Sequence, residues 1–106
     1  MKVYVSSLAK QQVRAIAQYI KDEFGVVCKN DFLQEVRHMR ELIGINPYIG
    51  PIEKSLSDLP VEYHSFVVAR KNKIVYAITE KYVKVVAFWD CRRNPDTLVS
   101  EINHLV

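Results

Sequence analysis

Long apolar runs are missing from this chain: no stretch approaches the roughly 20 residues that a membrane-spanning helix needs. The opening Met1-Lys2-Val3-Tyr4-Val5 lacks the extended apolar core of an export leader and reads as a strand instead. Cysteine is scarce. Two in 106 residues, Cys28 and Cys91, make no disulfide framework and are expected as free thiols in a reducing compartment. Cys, His and Asp are too scattered for a zinc site. These absences point to a soluble cytoplasmic protein with no membrane association, no metal and no cofactor.

What is present fits one ordered domain spanning 1–106. Apolar residues make up 49% and charged residues 25%, a balance that supports a packed core and excludes a disordered chain. Ser6 and Ser7 offer capping oxygens for a helix starting near Leu8. Ala9, Val13, Ile16, Ala17, Ile20 and Phe24 give it one apolar face, and Gly25 ends it. A second helix is expected from about Val27 to Ile43, with Cys28, Phe32, Val36, Met39 and Ile43 as its stripe. The short joint at Phe24-Gly25-Val26 makes the pair an antiparallel hairpin.

From Gly44 to Pro60 the periodicity stops. Pro47, Gly50, Pro51 and Pro60 punctuate a long connection whose Tyr48, Ile49, Ile52, Leu56 and Leu59 suit packing over a sheet. Three runs rich in Val, Ile and aromatics follow: Glu62 to Ala69, Lys73 to Thr79 and Tyr82 to Trp89. The joints Arg70-Lys71-Asn72 and Glu80-Lys81 are short enough only for antiparallel neighbours, so the runs form a three-stranded meander. Apolar residues occupy both faces of these strands, with Val85 and Ala87 expected on one side and Val86 and Phe88 on the other. A sheet covered on both faces follows. Asn94 and Pro95 are placed to start a short C-terminal helix through Leu98, Ile102 and Leu105. The fold class is α+β: an N-terminal strand, an antiparallel helical hairpin, the meander and a last short helix.

Charge is uneven. Between Arg70 and Arg93 lie seven cations and two anions, a net of +5, whereas the whole chain carries +3. The remainder therefore sums to −2, and positive charge gathers at the rims of the meander, where a macromolecular partner is expected.

Particular segments add a likeness. The opening strand with Ser7-Leu8-Ala9, the Ile16-Ala17-Gln18-Tyr19-Ile20 stretch, Asn46-Pro47-Tyr48-Ile49-Gly50, Lys73-Ile74-Val75-Tyr76-Ala77-Ile78 and Arg92-Arg93-Asn94-Pro95 together resemble the RelE/ParE toxins. These belong to type II toxin–antitoxin modules and are often labelled plasmid stabilisation proteins. The resemblance implies a growth-inhibiting toxin neutralised by a cognate antitoxin. It implies one of two targets: DNA gyrase, inhibited without hydrolysis as in the ParE-like branch, or messenger RNA cleaved in the ribosome as in the RelE-like branch. A relative that binds antitoxin but has lost toxicity is the third alternative.

Metal-free RNA cleavage needs a proton acceptor, a proton donor and cations on the phosphorane. Arg70, Lys71, Arg92 and Arg93 have the right charge. The acid–base candidates are weaker: His64, mid-strand on the side of Phe66 and Val68, reads as packed or hydrogen-bonded. His104, near the end of the chain, belongs to a local pattern unlike that of the nucleases, and His38 reads as solvated. The reading therefore favours the ParE-like branch. Arg70, Lys71, Lys73, Trp89, Arg92 and Arg93 are the expected target or partner contacts. The plainer roles stand beside that expectation: Arg70, Lys71 and Lys73 as solvated tip residues, Trp89 and Tyr76 as core aromatics, and Arg92 or Arg93 paired with Asp90 or Asp96 in a surface bridge of about 0–1 kcal/mol.

Overall fold

A computed structural model of the chain describes residues 1–68, 72–90 and 102. Strand β1 (Lys2–Val5) leads into helix α1 (Ser7–Phe24), and α2 (Val26–Ile45) returns antiparallel after a single residue, Gly25. Two short 3-10 turns, Pro47–Ile49 and Lys54–Leu56, occupy the long connection, and β2 (Tyr63–Val67), β3 (Asn72–Ile78) and β4 (Tyr82–Asp90) form the meander. The sheet order is β1-β4-β3-β2. β1 lies on the edge, parallel to β4, with Val3 opposite Val83. That parallel pairing is possible because the whole helical hairpin serves as the crossover. Of the expected C-terminal helix, only Ile102 falls among the described residues, and it is buried.

Ser6 starts α1 as the sequence suggests, and it does more than cap. Its Oγ accepts from the Ala9 N–H at 3.0 Å and donates to the Val86 carbonyl at 3.0 Å. Its own N–H donates to the Val85 carbonyl at 2.9 Å. One residue thus closes the first turn of the helix and ties it to the central strand. Gly25 ends α1 with φ 95° and ψ 174°, a region open essentially to glycine alone.

Both faces of the sheet are buried. Ile74, Tyr76, Val83, Val85 and Phe88 meet Ala9, Val13 and Ile16 of α1 and Val36, Met39 and Ile43 of α2. On the opposite face Val75, Ala77, Val86, Ala87 and Trp89 meet Leu56 and Leu59 of the connection together with Ile102. Each fully buried aliphatic side chain contributes roughly 1.5–3 kcal/mol. Ala17, Ile20 and Phe32 seal the seam between the helices. Phe24, expected in that stripe, is 51% exposed. It stands at the hairpin tip, edge-on to Tyr19.

Strict alternation along β4 is corrected by a β-bulge. Val75 pairs with Ala87, but Tyr76 pairs with Val85, which leaves Val86 as an extra residue. The insertion turns Val86 and Ala87 to the same face and puts Phe88 with Val85. Side chains of α1 satisfy backbone groups around the irregularity: Ser6 takes the Val86 carbonyl, and Gln12 Oε1 accepts from the Phe88 N–H at 2.8 Å. A bulge so supported is built into the fold.

Candidate functional site

The long connection crosses the outer edge of β2. The Ser65 N–H donates to the Pro51 carbonyl at 2.9 Å and the Glu53 N–H to the Tyr63 carbonyl at 2.8 Å, on either side of an Ile52–His64 bridge. This short pairing covers an edge that would otherwise be open. It also carries a carboxylate onto the sheet.

Glu53 is 8% exposed. Its Oε1 accepts from Lys73 Nζ at 2.7 Å and from Ser55 Oγ at 2.8 Å, while Oε2 accepts from Lys73 Nζ at 2.8 Å and from Ser65 Oγ. Burial alone would raise the Glu53 pKa. The hydrogen bonds from Lys73, Ser65 and Ser55, with the charge of Lys73, outweigh it, so the carboxyl titrates below its ordinary value. Sequence reasoning missed Glu53. A signal existed on its partner: Lys73 shares a strand face with Val75 and Ala77, both buried, and a lysine so placed needs an acceptor.

A second polar knot surrounds His64, which is 5% exposed. Its Nδ1 lies 2.9 Å from the Gly50 carbonyl and its Nε2 3.0 Å from Glu62 Oε1. Both ring nitrogens are engaged by acceptors, and the ring stacks on Tyr76 with Tyr48 edge-on. Tyr76 Oη donates to the Pro47 carbonyl at 2.6 Å and accepts from the Gly50 N–H at 3.0 Å. Burial pushes the Tyr76 phenol up, against a smaller opposing effect of the Gly50 hydrogen bond. These groups strap the 47–53 segment to the sheet.

The residues singled out from the sequence divide accordingly. Lys73 is held by Glu53, with its side chain 18% exposed. Trp89 is 1% exposed among Leu56, Val75 and Ala87, so it supports the sheet from within. Arg70, Lys71, Arg92, Arg93 and His104, with Cys91, lie outside the described residues. The register sets Asn72 opposite Asp90, so the strand ends adjoining those two arginine-bearing segments are neighbours.

A groove runs between α1 and α2 over the sheet, with a volume of about 300 Å³. Val5, Val13, Leu33, Val36, Ile74, Val85 and Phe88 line it, and Lys10, Arg14, Arg37 and Arg40 stand around it. Among the described residues no group of His, Cys, Asp and Glu is disposed to hold a metal ion. None of their helices is long and apolar enough to cross a membrane.

No protein-family model matches the sequence, and no curated protein does. Solved structures resemble the fold. A chain of the chromosomal ParDE toxin–antitoxin system from P. aeruginosa superposes with a TM-score of 0.67 at 13% identity, covering 83% of this chain and 92% of that one. The YoeB dimer from Staphylococcus aureus gives 0.55 at 18% identity, covering 83% and 93%. With an edge strand parallel to the last strand of a meander and a helical hairpin on one face, the chain has the fold of the RelE/ParE toxins.

Proposed function

We propose that this protein is the toxin of a type II toxin–antitoxin module, acting by a ParE-like inhibitory interaction with DNA gyrase and neutralised by a cognate antitoxin. The fold supports the toxin reading. What supports inhibition over RNA cleavage is the engagement of the acid–base groups. Every oxygen of Glu53 and both nitrogens of His64 already hold a partner within the protein. A carboxylate with a lowered pKa that accepts four hydrogen bonds from three donors is a poor proton acceptor. Under this reading Arg92, Arg93, Arg70 and Lys71 grip an acidic surface of the target or of the antitoxin.

Expression of the chain in bacteria, alone and then with the product of an adjoining small reading frame, tests the module. Growth arrest relieved by the neighbour is expected. Gyrase-linked DNA breaks with intact messenger RNA are the expected mode of action. Codon-positioned cuts in ribosome-bound messenger RNA would instead assign the RelE-like activity, and unaffected growth would leave an antitoxin-binding relative without toxicity.

A further inference from the structure

A second cavity, of about 580 Å³, lies where the first turn of α1 meets the sheet. That volume is of the size small-molecule sites have. Its walls are aliphatic, formed by Val5, Val61, Ala77, Val86 and Ile102. Ser6 and Thr79 also line it, but both hydroxyls are spent on backbone groups. Ser7, Tyr63 and Lys84 are not so engaged. Among the described residues no acidic side chain lines the cavity.

Tyr63 is 6% exposed, yet its hydroxyl makes no hydrogen bond. Burial alone raises its pKa, with no hydrogen bond opposing the shift. Among the described residues no side-chain oxygen sealed from solvent lacks a partner, so this hydroxyl is open to the cavity that Tyr63 lines. A phenol withdrawn from water without an acceptor is a standing cost that a ligand can relieve. Tyr63 and Lys84 both pair with Ala77, one from each side. Their backbones stand two strand spacings apart, roughly 10 Å, and Ala77 leaves open the space that both longer side chains line. Lys84 is exposed and pairs with no anion.

The third side of the cavity is the start of a helix of 18 residues. The N–H groups of Ser7 and Leu8 have no acceptor within that helix, and its first turn holds no acidic residue. An ammonium, two hydroxyls and a helix N-terminus are all able to donate, so the occupant must bring acceptors and negative charge. One cation suits a single charge better than a phosphate dianion, and the aliphatic walls require an apolar body.

We infer that this cavity binds a small aliphatic carboxylate, its head taken by Lys84, the Tyr63 hydroxyl and the first turn of α1, and its chain laid against Val5, Val61 and Val86. The site is separate from the α1–α2 groove and from the Glu53 and His64 clusters, and it does not depend on the toxin reading.

The probe is sodium hexanoate, titrated into the full chain and followed by amide proton–nitrogen correlation spectra. Saturable shifts of the Ser7 and Leu8 amides are expected, with a dissociation constant of about 5 mM or tighter. Lys84→Met should weaken binding about tenfold and Tyr63→Phe about fivefold. Lys81→Met, the same change in net charge on a residue outside the cavity, should alter it less than about twofold. Tyr63→Phe should leave the urea midpoint of the free protein unlowered, because the hydroxyl it removes has no partner there. A fall in that midpoint would overturn the inference, as would absence of saturation or shifts confined to Leu33 and Val36 of the other groove. Equal binding of hexanol or hexylamine would reduce the site to an apolar hollow and sink the carboxylate. Tenfold tighter binding of hexyl phosphate would sink it too, in favour of phosphate monoesters.

Discussion

Lys73 places its ammonium 2.7 and 2.8 Å from the two carboxylate oxygens of Glu53, twenty residues earlier in the chain. The contact fastens the long connection to the middle of the sheet, and both side chains are largely withdrawn from water. Removing one partner of such a pair leaves the other charged, buried and unmatched, which costs far more than the pair itself is worth. Glu53→Ala is therefore expected to destabilise the fold by about 3 kcal/mol, the low end for breaking a buried pair because Lys73 keeps some exposure, read as a lower urea midpoint. The double variant Glu53→Ala with Lys73→Met should lose less than the sum of the two single changes. Additive losses would mean that the two residues act independently.

The difference between what the residues foretold and what they form has local causes. Helices and strands were legible because their apolar periods are long and their joints short; Ser6, Gly25 and the Thr79–Tyr82 turn fall where expected. The bulge at Val86 was not legible, because β4 is apolar on both faces and its period carries no phase to break. Nor was Glu53, because a carboxylate between Pro51 and Lys54 gives no local sign that it will meet a lysine on β3. The groove cations escaped notice for a similar reason. Lys10, Arg14, Arg37 and Arg40 look like ordinary solvated helix positions until the two helices are set side by side.

The Glu53 carboxyl should also be visible in the acid limb of stability. Its folded pKa lies below the ordinary carboxyl value of 4.5, so the folded state binds fewer protons than the unfolded one in that range. The stabilisation it gives is complete above 4.5 and is lost as pH falls through the folded value. Glu53→Gln removes a titrating group, so between neutral pH and pH 3 its stability should fall less than that of the natural protein. Parallel acid limbs for the two proteins would contradict the shift. Tyr63 and Tyr76 shift the other way, raised by burial from 10.0, so their contribution is full below that value and disappears as pH rises through the folded pKa.

Gly50 is confined by space and not by backbone angle. A Cβ there would meet the Ser65 carbonyl oxygen at 2.9 Å, Tyr76 Oη at 2.9 Å and Phe66 Cδ1 at 3.0 Å. Gly50→Ala must therefore push the strap off β2, at about 1–3 kcal/mol. Tyr76→Phe loosens the same strap from the other side by stranding the buried Gly50 N–H, at about 1–3 kcal/mol. Limited proteolysis should cut both variants faster within 47–53 than the natural chain. Unchanged cleavage there, with lowered global stability, would place the strain elsewhere.

The last expectation separates support from contact. Because Lys73 is committed to Glu53, Lys73→Met should lower the urea midpoint and any growth arrest together, and arrest should recover when the cells are grown cooler. Arg93 lies outside the described residues and is proposed to touch the partner or target. Arg93→Ala should then leave stability within about 0.5 kcal/mol of the natural protein while weakening arrest at every temperature. If Lys73→Met abolished arrest with its stability intact, the Lys73 ammonium would have to leave Glu53 and meet the target directly. The Glu53 pair would then be a resting state, and the case against proton-transfer chemistry at this cluster would fail with it.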